Sequence, residues 1–409
     1  MWIGNAVSNY GFQFTAVAVP VEMFALTGDS FWVGLLGVSA LVPLLIFGVW
    51  GGALADAVDR RKLLIVSSLV AWVATLGFLV HALAGWENRW LLLVFSAVQS
   101  IGFGVSGPTR TAIIPRLVSA ALVPAANTLS FTTIQAGMVL GPLTAGVIFA
   151  GWDVHVALVV AYAADALLFT AGLWAALRLP PIPPGEPGRT AGLRSITDGF
   201  RYIAGAPVLW LSFAVDIVAM VIALPRALFP EVADERFGGG AAVGWLFSAI
   251  AIGSVLGGLT SGWIGRVRRQ GLALVAAVVA WGVLVALAGF AHQLWLIVML
   301  LALAGAADLV SAVFRQSILL VYAPDEMRGR LQGVMNVVVT GGPRLGDLRA
   351  GAMAAAWGVG VSWVGGGLLA AALAVGLALF FPALTRYRTP DPDPGPETTS
   401  QREPISSGP

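Results

Sequence analysis

The sequence predicts an all-α membrane protein, twelve transmembrane helices arranged as two pseudo-symmetric six-helix bundles. Composition is the first reason: 58% of the 409 residues are hydrophobic, only 11% are charged, and the mean hydropathy is +0.87. A water-soluble globule carries nearer a quarter charged residues, so this chain has more apolar surface than a soluble fold can hide. The second reason is an internal repeat. Gly137-Met-Val-Leu-Gly-Pro-Leu-Thr-Ala-Gly146 and Gly342-Pro-Arg-Leu-Gly-Asp-Leu-Arg-Ala-Gly351 share the pattern G-x-x-L-G-x-L-x-A-G at an offset of 205 residues. The copies differ where chemistry matters: Val139, Pro142 and Thr144 in the first become Arg344, Asp347 and Arg349 in the second. Duplication within a membrane, with charge added to one copy, points to a transporter.

Apolar runs of about 20 residues, each long enough to cross a ~30 Å hydrocarbon core as a helix, fall near 2–27, 31–54, 63–84, 90–112, 127–150 and 154–178. Six more follow near 207–229, 241–264, 272–291, 294–316, 333–357 and 360–382. Arginine and lysine sort by side of the membrane. The connections after even-numbered spans hold Arg60, Arg61, Lys62, Arg116, Arg178, Arg189, Arg194, Arg201, Arg266, Arg268, Arg269, Arg328 and Arg330, against Arg89, Arg226 and Arg236 on the other side. This asymmetry predicts cytoplasmic termini and a cytoplasmic central linker, in a multi-pass protein of the inner (plasma) membrane. The first span opens almost at Met1, which suggests an upstream start or a missing basic leader.

The expected organisation is an N-terminal bundle over 1–178, a linker over 179–206, a C-terminal bundle over 207–388 and a disordered cytoplasmic tail over 389–409. The linker is too proline-rich at 180–187 to be helical and continues as an amphipathic surface helix over 193–204. Tail prolines at 390, 392, 394 and 396 exclude regular structure there. Cysteine is absent, which removes disulfides, thiolate metal sites and cysteine nucleophiles. His81, His155 and His292 show no ligand spacing and read as interfacial side chains, so neither a metal nor a cofactor is expected. No nucleophile, base and metal cluster can be assembled, and no Walker loop is present, so the chain does not read as an enzyme or as directly ATP-coupled. The repeat extends beyond the decapeptides: Gly34, Gly48 and Gly52 match Gly244, Gly258 and Gly262, Trp72 matches Trp281, and Arg110 matches Arg315. Small residues four apart let helix backbones approach closely.

At the turn after the second span, Gly52-Ala-Leu-Ala-Asp56-Ala-Val-Asp-Arg60-Arg61-Lys62 resembles the loop signature of the major facilitator superfamily, with Ala57 and Asp59 where that family has Arg and Gly. Gly137 to Gly146 resembles the family's antiporter motif, through Gly137, Gly141, Pro142 and Gly146. Leu228-Phe-Pro-Glu-Val-Ala233 and Pro324-Asp-Glu-Met-Arg-Gly-Arg330 look like the enterobactin exporter branch. The resemblance implies two bundles rocking about a midplane substrate site. The first, fourth, seventh and tenth helices would line it, and the fifth, eighth and eleventh would help form the bundle interface. It also implies a conformational latch at Gly52, Asp56, Arg60 and Arg61, closing on the N-terminal end of the eleventh helix.

Charges inside spans are the remaining signal, since a carboxylate at the bilayer centre costs at least ~2.5 kcal/mol and marks a partner or a pathway. Asp216 and Asp308 fall mid-span in the seventh and tenth helices with no basic residue one turn away, and are the candidates for proton coupling. Asp347 lies three residues after Arg344, so Arg344, Asp347 and Arg349 read as a charge lock. Asp165 reads as structural. Glu22 and Arg226 each follow a matched proline, Pro20 and Pro225, and are candidates for an outer gate. Arg110 and Arg315 could meet acidic substrate groups, with anchoring to lipid phosphates or helix ends the favoured alternative. Asn9, Gln13, Gln135 and Asn336 offer neutral hydrogen bonding to a bulky amphipathic ligand. The expectation is a proton-driven antiporter exporting a siderophore-like or drug-like molecule, monomeric, with the lipid bilayer and protons as partners and no nucleic acid. An importer or uniporter of a metabolite, or a non-transporting sensor with the same fold, are the alternatives.

Overall fold

The computed structural model describes residues 1–183, 193–324 and 327–388; the side chains of Val49, Gly52, Ala53, Ala55 and Asp56, and those of residues 193–196, also lie outside the description. The tail beyond Thr389 and most of the proline-rich linker therefore lie outside the described residues. Six long helices form the first half: α1 (Trp2–Thr27), α2 (Ser30–Ala57), α3 (Arg60–Leu83), α4 (Arg89–Leu117), α5 (Val123–Gly151) and α6 (Val154–Leu177). A surface helix, α7 (Leu193–Gly205), leads to the second half. There α8 (Pro207–Ile217) and α9 (Phe229–Phe237) share one span and are followed by α10 (Ala241–Leu259), α11 (Gln270–Phe290), α12 (Leu294–Tyr322), α13 (Arg328–Trp357), α14 (Val359–Phe380) and a short α15 (Pro382–Thr385). Ten of the spans are apolar enough by themselves to cross a membrane. α1 and α13 have the length but carry the amides of Asn5, Asn9 and Gln13 and the charges of Arg344, Asp347 and Arg349.

Helix starts in the first half are written into the sequence. Asp29 accepts from the Phe31 amide, Asp59 from Arg61 and Lys62, Asn88 from Trp90, and Asp153 from His155 and Val156, each satisfying amides that a helix start leaves open. The chain reverses at each cap, so the helices run alternately between two ends. Both ends of the described chain lie at what we call the terminal end, and Thr27, Trp152 and Phe290 lie at the distal end.

Within each half the helices pack through pseudo-equivalent contacts, α2 on α4 and α10 on α12. The closest approaches fall at Gly51 against Val105 and Gly253 against Ala302, rather than at Gly48 and Gly258, where a Cβ would have room. Pro225 breaks the seventh span. A π-helical turn (Val218–Ala223) and a single 3-10 turn (Arg226–Leu228) separate α8 from α9 and leave backbone carbonyls without helical partners. Arg349 supplies donors there: its guanidinium reaches the carbonyls of Val221 at 3.1 Å and Leu224 at 3.4 Å in the break, and ties them to the Ser362 carbonyl of α14 at 3.1 Å. In a bilayer those oxygens have no water to turn to. Arg349 is thus bonded to the broken span and not to Asp347, because the break lies within its reach.

The halves meet only partway along their length. Gly34 and Gly37 of α2 lie on the backbone of α13 at Asp347 and Arg344, and Gly351 lies on Ser30, so tightly that a Cβ would approach these atoms at 2.4, 2.8 and 2.3 Å. On the other flank Gly146 of α5 and Gly244 of α10 abut directly. Ser30 donates to Glu231, and Ser248 donates to the Val139 carbonyl at 3.1 Å. All of these seams belong to the distal half. Towards the terminal end, α5 is exposed around most of its circumference from Pro124 to Ala136, and Val42, Ile46 and Trp50 of α2 are exposed, as a helix bordering an opening must be.

Two outcomes are expected. Gly146→Leu should part the distal seam, seen as a severalfold loss of disulfide crosslinking between cysteines placed at Ser30 and Glu231; undiminished crosslinking contradicts the seam. Arg349→Met should lower unfolding stability by roughly 1–3 kcal/mol because three carbonyls lose their donor, with Arg349→Lys recovering only part. Stability equal to the parent contradicts the strap.

Candidate functional site

The repeated decapeptides occupy the same place in each half. In α5, Gly137 leaves room for Asn9 and Gly141 for Gln13, so this face seats α1. In α13, Gly342 and Gly346 face Met220 on the π-helical turn, so the matching face seats the seventh span. The last glycine of each decapeptide then contacts the other half: Gly146 meets Gly244 of α10, and Gly351 meets Ser30 of α2. Each copy therefore joins a helix expected to line the cavity to the interface between halves, through contacts only glycine permits. Asn9 and Gln13 lie on this inner face of α1, and the Asn9 side-chain nitrogen is buried without a hydrogen-bond partner. Gln135 is half-buried on α5, and Asn336 is exposed on α13, in the part of each helix facing the terminal-end opening.

Asp216 is fully buried, and Arg315, from α12, forms an ion pair with it. The partner comes from a neighbouring helix rather than from one turn away, which sequence spacing could not show. Arg315 consequently reaches neither lipid phosphate nor a helix end. The pair is incompletely satisfied, since Asp216 Oδ2 and Arg315 Nε have no hydrogen-bond partner. Two turns towards the distal end on α12, Asp308 is half-buried, and among the described residues no hydrogen-bond or ion-pair partner is found for it.

Other expectations change as well. Glu22 and Arg226 do not pair: Glu22 is turned into the first half, 2.8 Å from His81 Nδ1, while Tyr162 donates to its other oxygen at 2.5 Å. His81 is buried and not interfacial. Arg226 instead faces Asp347 and Arg344 electrostatically and stacks on Phe247 at 5.5 Å. Arg344 donates to the Thr340 carbonyl at 3.0 Å on its own helix and Arg349 to the broken span, so both arginines of the Arg344, Asp347 and Arg349 group act on Asp347 through charge while their hydrogen bonds go elsewhere. Arg110, half-buried, lines a one-water cavity of about 10 Å³ with Asn5 and Ser68, inside the first half rather than between halves.

In the latch region Arg61 donates to the Leu177 carbonyl at 2.7 Å and Arg60 to the Ala112 carbonyl at 3.3 Å, tying the turn to α6 and α4. The side chains of Gly52 and Asp56 lie outside the description. Asp165 accepts from Thr15 at 2.5 Å beside Thr75, which itself accepts from Gln99 at 3.1 Å. The Thr15–Asp165 pairing went unread in sequence, although Ser8, Thr15 and Glu22 recur every seven residues on one face of α1.

Comparison with known proteins agrees with this architecture. The profile described as transmembrane secretion effector matches residues 1–401. The enterobactin exporter EntS of Shigella boydii serotype 18 is 28% identical over 402 residues, covering 96% of this chain and 93% of that one; EntS of Escherichia coli is 27% identical over the same extent. Among solved structures, the nucleoside transporter NupG aligns over 94% of this chain and 98% of its own, with TM-score 0.71 at 17% identity. A bacterial homologue of the lysosomal transporter Spinster, inward-facing and unoccupied, aligns over 94% and 96% with TM-score 0.66 at 16% identity. The chain is a multi-pass membrane protein, and it belongs to the transmembrane secretion effector family of the major facilitator superfamily, in the enterobactin-exporter-like branch.

Proposed function

We propose that this protein exports a bulky organic molecule with hydroxyl donors, a siderophore-like compound, in exchange for protons. The observation that carries the reading is the buried Asp216–Arg315 pair between α8 and α12, with one carboxylate oxygen left open. Arg315 holds one oxygen of Asp216. The other can accept a substrate hydroxyl or take up a proton, and the two are mutually exclusive. That exclusion is the chemical requirement for antiport: a proton arriving from outside removes the acceptor and releases the substrate, and its departure inside restores the site. Asp308, on α12 with Arg315, is the second carboxylate on the proton's route.

The charge asymmetry of the connections supports a cytoplasmic terminal end. The structure then corresponds to a state closed to the outside, with the cavity open for loading. Alternation would consist of parting the distal glycine seams and closing the terminal end, where Asp56 would act as the latch. The siderophore class is supported by the enterobactin exporters among the relatives and by the amides of Asn9, Gln13 and Gln135, which suit a ligand rich in polar donors and acceptors.

Inverted membrane vesicles loaded with the protein test this directly. Uptake of enterobactin into the vesicles should require an imposed proton gradient and exceed that of a lipophilic cation. Asp216→Asn should reduce gradient-driven uptake roughly tenfold or more while leaving downhill exchange measurable. Uptake by the parent protein that ignores the gradient overturns antiport, and normal driven uptake by Asp216→Asn moves the coupling role to Asp308.

A further inference from the structure

Glu22, His81 and Tyr162 come from α1, α3 and α6 and meet in the core of the first half, 4%, 0% and 0% exposed. The exchange at Asp216 makes no use of them. The imidazole of His81 is held between two acceptors, with Nδ1 2.8 Å from Glu22 Oε1 and Nε2 3.2 Å from the Asn88 carbonyl. A neutral imidazole carries one N–H and one lone pair. Beside an ionised Glu22 it would therefore set a lone pair against an oxygen in one of the two contacts. Only two arrangements satisfy both. In one, an imidazolium donates to carboxylate and carbonyl; in the other, a carboxylic acid donates to Nδ1 while Nε2–H donates to Asn88. Each contains one proton more than a neutral histidine beside a carboxylate, and the Tyr162 hydroxyl, donating to Glu22 Oε2 at 2.5 Å, fits both.

With that proton the cluster is neutral; without it a net negative charge is sealed in the protein interior, which is costly. The facing groups on other elements leave this count unchanged. On α2 and α9, Asp29 caps Phe31 and Glu231 accepts from Ser30; on α4, Arg89 stacks on Trp32 at 4.2 Å; α5 and α10 carry no titratable side chain. Proton loss must break one imidazole contact, freeing either the distal turn of α1 or the α3–α4 connection at Asn88. α1 packs on α9, whose Glu231 makes the distal link to Ser30. Seven residues back on the same face of α1, Thr15 holds Asp165, the next carboxylate inward.

We propose that Glu22, His81 and Tyr162 form a proton-binding site in the N-terminal half whose loaded form holds the distal end closed. The inference deepens the proton-exchange reading and rests on it for its role in transport. Its sign agrees with antiport: a proton taken up from outside, after substrate has left, favours return to the state open at the terminal end.

The chain has no cysteine, so nitroxide labels at Trp152→Cys and His292→Cys report the distal separation of the halves by double electron–electron resonance without further engineering. Measured in nanodiscs without substrate or gradient, the short-distance population should grow as the pH is lowered. Glu22→Gln, which mimics the protonated acid, should show the short distance throughout, and Tyr162→Phe, which keeps carboxylate and imidazole, should retain the response. Asp216→Asn should retain it as well. A parental pH response surviving in Glu22→Gln, or one lost in Asp216→Asn, overturns the proposal. Because the readout needs no transport, gradient-independent flux in vesicles would strike the exchange reading alone.

Discussion

Inside the hydrocarbon every polar group must find its partner within the protein, and that constraint governs where the charges of this chain sit. The broken seventh span would leave carbonyls bare, and Arg349 reaches across to hold them. Asp216 is tolerated because Arg315 meets it, and Glu22 because His81 and Tyr162 do. Among the described residues, Asp216 Oδ2, Arg315 Nε and the Asn9 amide lack partners on helices expected to line the cavity, and Asp165 Oδ1, Gln270 Oε1 and Asp347 Oδ1 lack them on other helices.

Gene duplication explains why the same ten-residue pattern can serve both halves. Its first two glycines seat a cavity helix of their own half, and its last glycine meets the opposite half. Where the copies diverge, the partner helices diverge with them. Continuous α1 needs no strap, and Thr144 bonds only to the Leu140 carbonyl and the Tyr10 hydroxyl. The broken seventh span needs one, and the matching position is Arg349. One of the positions at which the copies differ, Thr144 against Arg349, thus records which half carries the break.

The helices, their order and the duplication were legible in sequence because apolar length and glycine spacing are local properties. Pairings across helices were not. Arg315 lies 99 residues from Asp216, and His81 59 residues from Glu22, and no periodicity relates such positions. Arg344 and Asp347, which do interact through charge, show what local spacing leaves out. Their i, i+3 spacing invited an ion pair, but Arg344 turns back to the Thr340 carbonyl while Arg226 arrives from the broken span. The heptad of Ser8, Thr15 and Glu22 was visible and would have marked an inward polar face on α1.

The central claim is that one body of contacts, the glycine-seamed distal end, closes the molecule while the terminal end stands open. Gln135→Cys, treated with a membrane-impermeant maleimide in inverted and right-side-out vesicles without substrate, tests it most directly. The account predicts labelling from the side carrying the chain termini and protection from the other. Equal labelling from both sides, or labelling from the distal side alone, would contradict it.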